Sequence, residues 1–126
     1  MTTNPIRGLR ILVVEDSVLV ADVIAEALET AGATVIGPVG RIDPAMRLAR
    51  DEALDGALLD VNLSGANSGP VAAALRARGI PFIFLTGYND TSALPALFRD
   101  APRLLKPFRE RELMAEVALR FSAMAN

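Results

Sequence analysis

Five short apolar runs punctuate the chain, and each is followed by a stretch with helical spacing. The first, in "LRILVVED", is β-branched, apolar after Arg10, and closed by Glu15 and Asp16. So short and unbroken an apolar run predicts a strand buried on both faces. In "SVLVADVIAEALETAG", residues 17–32, Leu19, Val20, Val23, Ile24, Ala27 and Leu28 recur at helical spacing. Ser17 suits the N-cap of that helix, and Gly32 its end. "TVIGPV", residues 34–39, predicts a second, weaker strand, and "DPAMRLARDE", residues 43–52, a helix with Asp43 as N-cap and Pro44 at its first position. "DGALLDV", residues 55–61, is a third strand, and "SGPVAAALRARG", residues 68–79, a helix stopped by Gly79. "PFIFLTG", residues 81–87, predicts the fourth strand. A short helix over "NDTSALPALFRD", residues 89–100, is made irregular by Pro95 inside it. "RLLKP", residues 103–107, predicts a brief fifth strand, and "RERELMAEVALRFSAMA", residues 109–125, the last helix.

Alternating strands and helices imply an α/β three-layer sandwich, a parallel sheet covered by helices on both faces. Right-handed crossovers bring all strand carboxyl ends to one edge, where ligands bind in such sheets. The polar residues delivered there are Glu15 and Asp16 from the first strand, Asp60 from the third, Thr86 from the fourth and Lys106 from the fifth. Each directly follows an apolar run, which places it at the rim rather than in the core.

Three carboxylates, a hydroxyl and an ammonium make chemical sense around a hard divalent cation and a phosphoryl group. Crowded carboxylates repel unless a cation neutralises them or one takes a proton. All-oxygen donors favour Mg2+ or Mn2+. A carboxylate beside such an ion can act as a nucleophile and form an aspartyl phosphate, whose equatorial oxygens need donors and positive charge. Taken singly, each signal has a plainer explanation. An acid pair after a strand marks a helix start, an Asp closing a strand is a cap, Thr-Gly is a turn and Lys-Pro a loop. Their occurrence at successive strand ends is what points to a site.

Composition narrows the chemistry. The 126 residues are 52% hydrophobic with a net charge of −2, which favours one compact domain over disorder or a nucleic-acid-binding surface. Cysteine and histidine are both absent, which excludes thiol chemistry, imidazole-bound zinc and a phosphohistidine in this chain. Of thirteen basic residues, Lys106 is the only lysine. No apolar run approaches the length of a membrane span, and "MTTNPIRG" does not resemble a signal peptide. The expectation is therefore a cytoplasmic protein, with a short N-terminal extension over 1–8 and one domain over 9–126.

With these motifs in hand, the chain resembles the receiver domain of two-component response regulators (the CheY-like superfamily) over essentially its whole length. The resemblance is carried by "VVED" with Glu15 and Asp16, "LLDVNLSG" with Asp60, "FLTG" with Thr86, and "LLKPF" with Lys106 and Pro107. It implies a flavodoxin-like (βα)5 fold with strand order 2-1-3-4-5. It implies that Asp60 accepts a phosphoryl group from the phosphohistidine of a sensor histidine kinase or a histidine phosphotransferase. It also implies Mg2+ held by Asp16, Asp60 and the backbone carbonyl of Asn62, with Glu15 acting directly or through water. Thr86 and Lys106 would bind the phosphoryl oxygens, and the Lys106–Pro107 peptide would be cis. Such a protein is a phosphoacceptor with Mg2+-dependent self-phosphorylation and self-dephosphorylation rather than an enzyme acting on other substrates. The segment "PFIFLTGY" further resembles an alphaproteobacterial subgroup marked by a Phe-Ala-Thr-Gly-type motif, with Leu85 in place of the alanine.

One position departs from the family pattern. Receivers carry Tyr or Phe three residues before the lysine, as a ring that swings inward on phosphorylation; here that residue is Arg103. Tyr88, two residues after Thr86, either takes over the switch together with the segment 89–100 or is a fixed packing residue. The chain ends with the last helix, so a stand-alone regulator is expected. Its output would pass through the face formed by the fourth helix, fifth strand and fifth helix to another protein, or it would act as a phosphate sink. No nucleic-acid or membrane partner is expected, and the chain is expected to be a monomer. Competing readings are a phosphorylation-independent interaction module, a metal-dependent phosphatase and a flavodoxin. The intact site residues speak against the first. The second lacks an acid at Asn62, and the third lacks ring-stacking aromatics and a phosphate-cradling first loop.

Overall fold

The computed structural model describes residues 5–87 and 98–122. In chain order the elements are β1 (Arg10–Val14), α1 (Val18–Thr30), β2 (Thr34–Val39), α2 (Ile42–Asp51), β3 (Gly56–Asp60), β4 (Asn62–Leu63), β5 (Ala66–Asn67), α3 (Gly69–Ala77), β6 (Phe82–Thr86), β7 (Arg103–Leu105) and α4 (Glu110–Phe121). Five strands form one sheet in the order β2-β1-β3-β6-β7, every neighbouring pair parallel. With the five main strands counted in chain order this is 2-1-3-4-5, the flavodoxin-like order. β4 and β5 form a separate two-stranded antiparallel hairpin, which the sequence pattern did not predict.

Alternation along the central strands divides the core into two layers. Leu12, Val14, Ala57, Leu59, Phe82 and Phe84 point to one face, where Ala45 and Ala49 of α2 and Val71, Ala72 and Leu75 of α3 cover them. Ile11, Val13, Leu58, Ile83, Leu85 and Leu104 point to the other, beneath Ile24 and Leu28 of α1 and Leu113, Val117 and Phe121 of α4. The central strands need no polar face because helices cover both sides. Each fully buried large side chain contributes about 1.5–3 kcal/mol relative to exposure.

Local signals explain both ends of α1. The Ser17 hydroxyl accepts a hydrogen bond from the Val20 N–H at 3.3 Å, capping α1. Gly32 follows α1 at φ +96°, a left-handed stop that glycine adopts without a Cβ penalty. α2 differs from expectation, since it begins at Ile42 with Arg41 as N-cap. Asp43 and Pro44 then lie in the first turn, where backbone N–H groups lack intrahelical partners and a negative charge suits the helix dipole, so the proline interrupts nothing. The expected N-terminal extension contributes to the fold, because Ile6 is buried in the second core layer and the Gly8 N–H donates to the Gly32 carbonyl at 2.9 Å. Tyr88 and most of the helix expected over 89–100 lie outside the described residues. Among those described, no helix is long and apolar enough to cross a membrane.

Candidate functional site

Parallel pairing sets β1, β3, β6 and β7 side by side, and their carboxyl ends present the predicted polar residues together. Glu15 and Asp60 are buried, at 3% and 4% exposure, while Asp16 stands on the exposed rim. One carboxylate oxygen from each of Glu15, Asp16 and Asp60 lies within 4.8 Å of the others. Lys106 closes the group from β7. Its Nζ is 2.7 Å from Glu15 Oε1 and 3.2 Å from Asp60 Oδ2. The Ser17 N–H donates to Glu15 Oε2 at 3.0 Å, so Glu15 is held from both sides. The Asn62 N–H approaches Asp60 Oδ1 at 3.4 Å.

The strands keep these groups in register. Asp60 pairs with Leu85, and Thr86 pairs with Leu105. The Lys106 N–H donates to the Thr86 carbonyl at 2.7 Å, fixing the lysine backbone to the end of β6. The Lys106–Pro107 peptide is cis, as is Gly37–Pro38. The Thr86 side chain is fully buried, and its hydroxyl has no hydrogen-bond partner among the described residues. An unpaired buried hydroxyl costs free energy, so its persistence at the end of a strand requires an explanation.

One ammonium against three acids leaves the site with surplus negative charge. Burial, followed by the hydrogen bond and the charge of neighbouring Glu15, pushes the Asp60 carboxyl up to about 7, with Lys106 opposing. Asp16 moves the other way. Its partial burial works upward, but hydrogen bonds from the Ser64 backbone, from Asp60, from Glu15 and from the Ser64 hydroxyl together hold it below the usual carboxylate range. Burial would lower the Lys106 ammonium, but Glu15 and Asp60 outweigh this and raise it, so it remains charged. The donor set is all oxygen, clustered and under-neutralised, which fits a hard divalent cation such as Mg2+.

Arg103 lies on β7 rather than in the site, and its guanidinium donates to the Arg99 carbonyl. Ser64 was not singled out from the sequence, yet it touches a site residue. Its N–H and hydroxyl both donate to Asp16 Oδ2, at 2.9 and 3.3 Å. The only sequence signal for it is the Ser-Gly pair in "NLSGAN", which marks a turn without revealing what the turn faces.

Comparison with known proteins agrees with this geometry. Residues 11–118 match the response regulator receiver domain family. SdrG of Sphingomonas melonis Fr1 is 40% identical, with 94% of this chain and 98% of that one aligned and a TM-score of 0.77. The receiver domain of the sensor histidine kinase PA1611 of Pseudomonas aeruginosa PAO1, solved with magnesium coordinated in its active-site cleft, is 29% identical over 90% of this chain and 97% of that one, with a TM-score of 0.76. YbdJ of Bacillus subtilis (strain 168), an uncharacterised transcriptional regulatory protein, is 35% identical over 86% of this chain; the match spans 48% of YbdJ, about half its length. The chain therefore belongs to the response regulator receiver domain family of two-component signalling.

Proposed function

Taking that membership as the premise, we propose that Asp60 is the phosphoacceptor of a response regulator charged by a histidine-phosphorylated donor, a sensor histidine kinase or a histidine phosphotransferase. The observation that carries this reading is Lys106 Nζ at 3.2 Å from Asp60 Oδ2, beside the buried, unpartnered hydroxyl of Thr86. A carboxylate oxygen of Asp60 attacks phosphorus, an oxygen–phosphorus bond forms, and the bond to the donor's imidazole nitrogen breaks, returning its electron pair to the ring. Lys106 and the Thr86 hydroxyl are suited to hold the phosphoryl oxygens that gain charge in the transition state. Asp16, Asp60 and the Asn62 carbonyl would hold Mg2+, with Glu15 at its edge. When bound, the ion supplies the positive charge that the three carboxylates and the phosphoryl group require.

The donor has a surface to use beside the site. Val18, Leu19 and Val23 of α1 are 76%, 75% and 60% exposed. Leu19 and Val23 line a groove of about 500 Å3 with Val20, Ile24, Pro107 and Phe108, and Lys106 forms part of its wall. We assign this apolar face to the phosphodonor. We assign output to a protein partner contacting β7, α4 and the segment that precedes them, where Leu105 and Leu119 are exposed. Incubation with Mg2+ and acetyl phosphate, followed by intact mass, tests the acceptor. A gain of one phosphoryl group, absent in Asp60→Asn, is expected. No gain under any small donor would favour an interaction module that keeps only the fold.

A further inference from the structure

We propose that Ser64 is a positioning residue for Asp16, and that by pinning one carboxylate oxygen it makes the acidic site select Mg2+ over the larger Ca2+. This rests on the divalent-cation reading of the site given above. Asp16 is on the exposed rim, where an aspartate side chain ordinarily samples several rotamers. Here both donors of Ser64, the N–H at 2.9 Å and the hydroxyl at 3.3 Å, end on the same oxygen, Oδ2. That leaves Oδ1 without a Ser64 donor, turned by the pinned Oδ2 rather than free to rotate.

The hairpin carrying Ser64 is built to hold it in place. Asn62 pairs with Asn67 and Leu63 with Ala66, which leaves Ser64 and Gly65 as a two-residue loop. Their φ angles are 51° and 88°, both left-handed, as a type I′ turn requires. Such turns favour Asn, Asp or Gly at the first position. Ser64 is the only non-glycine residue with positive φ among the described residues. Turn chemistry does not select serine there, whereas a hydroxyl aimed at Asp16 does. Leu63, 2% exposed, anchors one strand of the hairpin in the core. Asn67 Oδ1 accepts the Gly69 N–H at 2.7 Å and ties the other strand to the start of α3. Asn62, the residue proposed to offer its carbonyl to the ion, opens the same hairpin. One rigid unit thus carries one ligand and pins another.

Rigidity discriminates between the two ions. Mg2+ demands near-octahedral geometry at about 2.0–2.1 Å, whereas Ca2+ accepts roughly 6–8 oxygens at longer range and adapts to loose or bidentate carboxylates. A pinned Asp16 favours the first and resists the second.

Calorimetric titration of the full chain with Mg2+ and with Ca2+, in wild type, Ser64→Ala and Ser64→Gly, tests this. Both variants keep the backbone N–H and lose the hydroxyl; Ala retains the strained φ and Gly relieves it. In both, Mg2+ binding should weaken roughly tenfold, the low end for loss of a group that orients a metal ligand. Ca2+ binding should change far less, so the ratio of the two affinities falls. Metal-free melting should show Ser64→Gly no less stable than Ser64→Ala, which separates turn strain from metal selection. An unchanged affinity ratio in either variant, whether both ions weaken together or neither does, overturns the proposal while leaving the metal site intact. A wild type that binds neither ion overturns the divalent-cation reading as well.

Discussion

Lys106 shows most clearly how single residues set the chemistry. Its ammonium reaches two buried acids at once, Glu15 at 2.7 Å and Asp60 at 3.2 Å. A compact point charge on a flexible stem can do this and still follow a phosphoryl oxygen, whereas a planar guanidinium demands bidentate room. Lys106→Arg should therefore keep the net charge and the fold but reduce the rate of phosphotransfer to Asp60, by up to about a hundredfold, the low end for losing one oriented donor. A wild-type transfer rate in that variant would remove the geometric case for lysine. Asp60 carries a pH signature. In the unfolded chain its pKa is the ordinary 3.8, and in the folded, metal-free protein it is about 7. The native state thus holds a proton that the unfolded state has released between those values, so Asp60 makes stability fall as pH rises from about 4 to 7 and leaves it lower above. Metal-free Asp60→Asn should melt higher than wild type at pH 8, with the gap closing toward pH 5. Equal melting temperatures at both pH values would show that the acids are not in conflict.

At the scale of elements, α4 packs closely on β3. A Cβ at Gly56 would stand 2.3 Å from the Phe121 ring, well inside van der Waals contact. Gly56→Ala should cost about 1–3 kcal/mol, in the range of core overpacking, and lower the melting temperature without altering Mg2+ affinity. On α1, Leu19→Asp changes a 75% exposed side chain and should leave stability nearly unchanged. It should slow transfer from a phosphorylated kinase but not from acetyl phosphate; slowing of both alike would place the effect in the site rather than in docking. Most elements were legible in the sequence because strands buried on both faces leave short unbroken apolar runs, and because Ser17 and Gly32 punctuate α1 as their chemistry dictates. The β4–β5 hairpin was not legible, since its two-residue strands are too short to carry a period. The N-cap of α2 moved from Asp43 to Arg41 because a proline in the first turn of a helix marks its beginning only loosely.

For the molecule as a whole, the parallel sheet is what turns scattered motifs into a site. Glu15, Asp16, Asp60, Thr86 and Lys106 span most of the chain, yet each ends or follows a strand of one sheet, so topology alone gathers them. That much could be reasoned from the alternation of elements. The contacts within the site could not. Nothing in the sequence reveals that Lys106 bridges Glu15 as well as Asp60, that Ser17 braces Glu15, or that Ser64 pins Asp16, because these depend on side-chain directions at the rim. Arg103 stands where the family pattern expects an aromatic switch, and its guanidinium is engaged with the Arg99 carbonyl. Asp60, among all the acids and hydroxyls at this edge, is the proposed site of phosphoryl transfer. Borohydride trapping after acetyl phosphate treatment, followed by peptide mapping, addresses it directly, because an acyl phosphate is reduced to the alcohol and a phosphorylated hydroxyl is not. Conversion of residue 60 from aspartate to homoserine, and of no other residue, is expected. Conversion at Glu15 or Asp16, or a phosphoryl group retained on Ser64 or Thr86, would contradict it.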